Sequence, residues 1–483
     1  MNTILLQPSD VLFFSDGRPM TRSLAGHTAA WPLPNVVNAA LHAALHRAGL
    51  AEVHVHRRAR SGLVLSEDRE KDGRKFGALT SAGPFPVRRR DGQGDRWFFP
   101  RPADAQQEGT LKVTLSPADA FPGIAEPWVS GSLPSPLEFG VASTTGPDKD
   151  NHPEPWFSRE AIETYLQRPE DHIRAEHLAK DDDVADEEQR IGIGIDPSTQ
   201  IAGQGEAESQ IYSAHYLRLR PEWRLGLVAS APDKAAGSDL LREVIRTDGH
   251  IVIGGQQRIC TAELTANATA AAGPLALPLG RRDHFLTSNQ KWLVKWVLLS
   301  PAIWPEIAPG ASARGTEVKA HPGGWLPNWV FLDWDGKTHE EETHEERRHP
   351  DNGRVLLTAG PGVRKAERVN SSVGSPIAAK LVAAIVPKPV AVTGWSAGDK
   401  RLGSQGNPGA KSTHLAVPAG AVYYFQADTE AAARALADAL NWHGATQGTE
   451  IKNRRSTLMG EKGFGLGVCG TWTFYKDLAR SSS

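Results

Sequence analysis

Cysteine is nearly absent from this chain: its 483 residues include two, Cys260 and Cys469. That count excludes a disulfide framework and any zinc site built on cysteine. Long hydrophobic runs are missing as well, and no uninterrupted apolar stretch approaches the ~20 residues a bilayer crossing needs. The opening Met1-Asn2-Thr3-Ile4-Leu5-Leu6-Gln7-Pro8 has neither the basic leader nor the apolar run of a secretory signal, so the expectation is a cytoplasmic protein with no membrane partner. Net charge is also scarce, at −2, so no global basic field advertises a nucleic acid and any such affinity must be local. What is present is an ordinary globular balance of 40% hydrophobic and 23% charged residues, enough for about two to four domains with cores of their own.

Charge is segregated along the chain. Over 360–415, Arg364, Lys365, Arg368, Lys380, Lys388, Lys400, Arg401 and Lys411 oppose only Glu367 and Asp399. Over 169–188, nine acids face Arg174 and Lys180. Such polarity suits a subunit of an assembly, and it equally suits two solvated loops. The small, polar run 265–274 predicts a linker, dividing the chain into domains at 1–266 and 275–483. Polar insertions at 144–155, 168–190, 336–353 and 398–413 read as surface loops.

The first half opens with a strand from Ile4 to Phe14. A helix over Pro34–His46 follows, with Val37, Leu41 and Leu45 on one face and Gly49 as its stop. Strand candidates follow at Ile191–Ile195 and Ile211–Leu219. A helix capped by Ser238 carries Leu240, Leu241, Val244 and Ile245, and Ile251–Ile253 runs into Gly254-Gly255. The second half repeats the outline, with a β-rich Trp292–Leu299, a helix candidate at Ile377–Ile385 and strands at Val390–Trp395 and Val417–Phe425. An alanine-rich helix over Thr429–Leu440 follows, then glycines through Gly460–Gly467 lead into Val468–Phe474. Each half reads βαββαβ with glycines near its last strand. The predicted class is therefore α+β, two tandem ferredoxin-like (RRM-like) domains with long loop insertions; a doubly wound sheet would need more helices.

Three motif matches fail on geometry. The Gly460–Gly467 run leaves a helix and enters a strand, the reverse of a dinucleotide fingerprint. It could instead let backbone approach a sugar–phosphate chain, with Lys462 as counter-charge, or serve as a tight turn needing positive φ. Gly406–Thr413 has Gln405 and Ala410 where a Walker loop needs glycine. His339 and His344 lie five apart, not the four that would share a helix face. Among the 17 histidines, His27, His42 and His46 fall in or near the first helix, but nothing in the sequence supplies a partner to activate a ribose hydroxyl. Six of the 14 tryptophans (Trp292, Trp296, Trp304, Trp325, Trp329 and Trp334) cluster in 292–334 and read as core or subunit interface.

Several short motifs occur in a telling order. They are Asp10-Val11-Leu12-Phe13-Phe14-Ser15-Asp16-Gly17-Arg18-Pro19 with Trp31-Pro32-Leu33-Pro34; Arg190-Ile191-Gly192-Ile193-Gly194-Ile195-Asp196 with Ile211-Tyr212 and Tyr216; Gly254-Gly255-Gln256-Gln257-Arg258; and Leu298-Leu299-Ser300-Pro301-Ala302. Gly394-Trp395, then Pro418–Phe425, then Gly463-Phe464-Gly465 complete the series. Together they resemble the third-subunit family of Cmr (type III-B CRISPR) effector complexes, within the RAMP superfamily. The resemblance spans nearly the whole chain, and the acidic and polar insertions depart from it.

The resemblance implies a non-catalytic subunit with no cofactor and no bound metal. Such a subunit grips the 5′ tag of the CRISPR guide RNA, joins the large polymerase-like subunit, and starts a backbone of RAMP subunits that cut target RNA. With the basic region it nominates as RNA-binding Arg18, Arg190, Gly254, Gly255, Arg258, Lys400, Arg401, Lys411, Lys462, Gly463, Phe464 and Gly465. Two alternatives stand beside it: a metal-independent guide-processing endoribonuclease of the same superfamily, and the equivalent subunit of another type III subtype.

Overall fold

The computed structural model describes residues 1–14, 25–26, 31–50, 57–58, 74–75, 79–106, 113–118, 137–144, 153–168, 173–196, 198–202, 211–233, 236–265, 274–310, 312–313, 316–317, 320–333, 349–358, 376–396, 409–410 and 412–480. Within them the fold is mixed α/β, rich in strands and poor in helices. Its first sheet has eight antiparallel strands, in the order Leu178–Ala179, Trp156–Ser158, Arg96–Pro100, Thr80–Arg88, Trp223–Ser230, Asn2–Pro8, Arg258–Leu264 and His250–Ile253. The second has five, with Lys291–Leu298 flanked by Val422–Ala427 on one side and by Gly467–Thr471 and Thr287–Ser288 on the other; Ala379–Ile385 lies beyond Val422–Ala427.

Period-two alternation decides what each strand buries. Ile4 and Leu6 face the helices Pro34–Arg47 and Leu240–Thr247, packing with Leu41, Leu45, Leu241 and Ile245. Leu5 points the opposite way, into a core that also holds Phe85, Val228, Leu293, Val297, Val422, Tyr424 and Val468. That core joins residues from both sides of 265–274. The helix Arg159–Gln167 contributes Ile162, Tyr165 and Leu166 to it. Val294, Trp296, Leu298, Tyr423 and Phe425 turn the remaining face of the second sheet toward the helix Glu430–Leu440. Trp296, Trp304 and Trp329 are fully buried there, with the Trp296 and Trp329 rings 5.7 Å apart, so these three tryptophans are core.

Caps follow simple chemistry. Thr429 accepts from the Ala432 N–H at the start of Glu430–Leu440. At Leu240–Thr247 the cap is Asp239, not Ser238: its carboxylate accepts from the N–H groups of Leu241 and Arg242, a stronger, charge-assisted arrangement. Two further expectations change. Ala379–Ile385 is a strand, not a helix; Ala379 and Leu381 face one core while Val382 and Ala383 face the other, and burial on both sides erases the period. The pair at Ala185–Ile193 and Ile211–Leu219 is a hairpin, but it forms a separate sheet with Ala25–Gly26 rather than joining the main one. The places expected for it belong to Thr80–Arg88 and Trp223–Ser230. The first of these was not assigned from the sequence; Gly83, Pro84 and Pro86 mask its strand character.

Candidate nucleic-acid interface

The hairpin and the segment after strand His250–Ile253 build one charged platform. In the register of the hairpin Glu188 opposes Tyr216 and Arg190 opposes Ala214, so alternation sets Glu188, Arg190, Tyr216 and Arg218 on one face. Tyr216 is buried, and the guanidinium carbons of Arg190 and Arg258 lie 5.1 and 5.2 Å from its ring centroid. Cation–π attraction of this kind orients the planar guanidiniums.

Gly254 and Gly255 make that meeting possible. The Gly255 N–H donates to the Phe13 carbonyl at 2.9 Å. A Cβ at 254 would lie 2.5 Å from the same carbonyl oxygen, and one at 255 would lie 2.6 Å from the Phe13 ring. Gly254 also has φ +72. Only glycine admits this approach. It brings Gln256 under Tyr216, whose hydroxyl donates to Gln256 Oε1 at 3.1 Å, while Arg258 Nη2 donates to the same oxygen at 2.7 Å. Arg190 and Arg258, both nominated from the sequence as RNA-binding, thus lie side by side on the Tyr216 ring.

Two members of the platform were not singled out there. Arg218 bonds Glu188 at 2.7 Å and Asp10 at 3.0 Å. The Asp10 carboxylate also faces Arg190 at 3.5 Å and Arg258 at 3.8 Å. Desolvation pushes Asp10 up, but the Arg218 hydrogen bond, the Val11 N–H and the charges of Arg218 and Arg190 outweigh it and hold the carboxyl below its usual range. Hydrogen bonds from Arg190 and Arg218 do the same for Glu188. Arg218 was legible in principle, since it lies two residues beyond Tyr216 on the same strand face.

The second glycine site is placed differently. Phe464 is fully buried among Ile303, Val392 and Ala416. Gly463, with φ +93, sits where a Cβ would be 2.9 Å from the Ser81 carbonyl, at the joint between the two halves. Gly465 has φ +75, and its N–H donates to the Pro301 carbonyl at 2.8 Å. A Cβ there would run into the Ser456 backbone nitrogen. The close approach these glycines permit is to the chain's own backbone, and of the four nominated residues Lys462 alone is not buried. Arg18, Lys400, Arg401 and Lys411 lie outside the described residues, as do His27, His339, His344 and Trp334. His42 and His46 pack edge to face, with centroids 4.4 Å apart. Burial pushes the Cys260 thiol up to about 12 and raises that of Cys469 as well, so both are inert core residues.

Residues 4–472 match the family described as CRISPR-associated protein (Cas_Cmr3), which makes the chain a CRISPR-associated protein. Within that class it belongs to the Cas_Cmr3 family, a family of type III effector-complex subunits, as the ordered motifs predicted. Solved structures similar to it include a chain of a type III-B Cmr-β complex bound to cognate target RNA, at 12% identity, covering 87% of this chain and 86% of that one, with a TM-score of 0.33. A chain of the Csm3–Csm4 subcomplex of a type III-A interference complex is 11% identical over 88% of this chain and 92% of that one, also at 0.33. A chain of a Csm1–Csm4 cassette in complex with cA4 is 11% identical over 63% and 80%, at 0.27. The family assignment rests on the match over 4–472, not on these distant likenesses. No curated protein sequence matches the chain. Among the described residues no helix is long and apolar enough to cross a membrane.

Proposed function

We propose that this protein is a non-catalytic, RNA-holding subunit of a type III-B CRISPR effector complex in the cytoplasm. It receives the 5′ tag of the guide RNA and links the large polymerase-like subunit to the backbone RAMP subunits. The observation that carries the reading is the convergence of Arg190, Arg218 and Arg258 on one exposed platform, in a chain of the Cas_Cmr3 family. Guanidiniums held in fixed forks suit phosphate contacts, which position a strand without reading its sequence. Lys462 and the basic residues Arg18, Lys400, Arg401 and Lys411 extend the proposed footprint.

The fold is read as two ferredoxin-like units, over 1–266 and 275–483. Strand order supports this. Arg258–Leu264, Asn2–Pro8, Trp223–Ser230 and Thr80–Arg88 lie side by side, as do Gly467–Thr471, Lys291–Leu298, Val422–Ala427 and Ala379–Ile385. In both halves that is the fourth, first, third and second strand of a βαββαβ chain. In the second half no helix among the described residues fills the first crossover.

The test is binding of a single-stranded RNA carrying a repeat-derived 5′ tag to the purified chain, across a salt series. The RNA should bind and stay intact, with a salt slope near −0.7 per phosphate contact. Lys400→Ala, Arg401→Ala and Lys411→Ala should each weaken binding and flatten the slope. Specific cleavage that disappears in His42→Ala would make the protein an endoribonuclease instead. Failure both to bind the tag and to co-purify with the large subunit would remove the reading.

A further inference from the structure

We propose that the Asp10 carboxylate is a resident counter-anion occupying the seat of an RNA phosphodiester among Arg190, Arg218 and Arg258, and that RNA binds there by displacing it. The inference rests on the RNA-holding reading above and deepens it.

Three guanidiniums surround one carboxylate: Arg218 donates to it at 3.0 Å, and Arg190 and Arg258 lie at ion-pair distances of 3.5 and 3.8 Å. A phosphodiester presents the same features to them: a single negative charge and a pair of oxygens in a plane a guanidinium fork can bridge. Exchange of one for the other leaves the charge of the cluster unchanged. Without Asp10, Glu188 alone would balance three cations across a short gap, so the platform carries excess positive charge that a second anion relieves.

Asp10 is suited to leave. It sits on an exposed bend just past the strand Asn2–Pro8, and its side chain is 46% exposed, so it can rotate into water without unpacking anything. Two of its three ion-pair distances, 3.5 and 3.8 Å, are longer than a charge-assisted hydrogen bond. Glu188 is different in kind. It lies on the hairpin itself and holds Arg190 at 2.6 Å and Arg218 at 2.7 Å from the side, which makes it the strut that aims the forks. The same cluster therefore contains one acid that competes with the ligand and one that positions its receptors. Buried Tyr216 fixes the floor on which Arg190 and Arg258 rest.

The two acids make opposite predictions. Binding of the tagged single-stranded RNA is measured by anisotropy against salt for the wild-type chain and for Asp10→Asn, Glu188→Gln, Arg190→Gln and Arg218→Gln, with Tm recorded for each. Asp10→Asn keeps the shape of the side chain and removes its charge, so affinity should rise about fivefold, the scale of an exposed ion pair. Its salt slope should steepen. Glu188→Gln and Arg218→Gln should both lower affinity at unchanged Tm. Asp10→Asn that binds RNA more weakly, beside Arg218→Gln that also weakens it, would show Asp10 to be a second strut and overturn the displacement. Full RNA affinity in Arg218→Gln and in Arg190→Gln would overturn the seat itself while leaving the RNA-holding reading intact. A wild-type chain that binds no RNA at any salt removes both. An acidic protein segment as the true occupant would show as loss of partner binding in the arginine variants with RNA affinity unchanged, and that also overturns the inference.

Discussion

Replacing Asp104 with asparagine tests what joins the two halves of the molecule. Asp104 and Lys295 are both fully buried, and Lys295 Nζ donates to Asp104 Oδ2 at 3.2 Å. Tyr165 and Tyr424 donate their hydroxyls to Oδ1 and Oδ2 at 2.7 and 3.1 Å, and the Lys295 ammonium lies 3.6 Å from the Tyr165 ring centroid. Burial, the Asp104 charge and the hydrogen bonds it accepts all drive the two tyrosine pKa values upward, so both stay protonated donors. Asparagine keeps acceptor capacity for one tyrosine but takes away the carboxylate charge that faces the buried Lys295 ammonium. Breaking a buried pair in this way costs about 3–5 kcal/mol. At about 2.1 cal/mol/K of unfolding entropy per residue, a cooperative chain of 483 residues loses about 1 °C per kcal/mol, so Tm should fall by about 3–5 °C. Urea unfolding followed by tryptophan fluorescence gives the free energy directly. The double variant Asp104→Leu with Lys295→Met removes both charges and should recover most of the loss, because a buried ion pair is worth little more than an apolar pair of like volume. A single variant costing under about 1 kcal/mol, or a double variant no better than the single, would refute this account of the junction.

Gly465→Val should cost stability first and RNA affinity only in proportion to unfolded protein, because φ +75 and the Ser456 nitrogen leave no room for a side chain. Lys462→Ala should leave Tm unchanged and lower RNA affinity modestly, so a stable Gly465→Val protein that has lost RNA would contradict the packing at 465. His321 gives a pH prediction: burial depresses its pKa from 6.5 to about 4, and Nδ1 accepts from the Gly323 N–H while Nε2 faces the Val330 carbonyl. The folded state therefore holds the neutral ring, and as pH falls from 6.5 toward 4 the unfolded chain takes up a proton that the folded chain refuses. Stability should drop across that window with a slope of about one proton, and urea titrations of His321→Gln should lack this component.

Much of the platform was legible because short motifs carry local constraints. Arg190, Tyr216 and Arg258 stood in the quoted series, and the paired glycines before Arg258 announced a backbone in close contact with something. What that something is could not be read. At Gly254 and Gly255 it is Phe13, and the approach builds the platform. At Gly463 and Gly465 it is Ser81, Pro301 and Ser456, and the approach builds a joint. A glycine signals proximity without naming the neighbour. Asp10 was quoted in its motif but given no role, for a related reason: a carboxylate eight residues from the nearest basic candidate in that motif, Arg18, becomes the hub of three arginines only once the hairpin folds over it.

By itself, the sequence determined the family, through the order of its motifs, and the helices Pro34–Arg47, Leu240–Thr247 and Glu430–Leu440, whose apolar stripes are local properties. It also determined that charge would act locally, since the net charge is −2. Tertiary structure alone decided which strands share a sheet, and it overruled composition at Thr80–Arg88 and Ala379–Ile385. Strand pairing is a contract between distant segments, and two-sided burial removes the alternation that would have revealed it. The same long-range pairing buried Lys295 against Asp104 and set Asp10 among its arginines, because electrostatic partners are chosen by space and not by spacing.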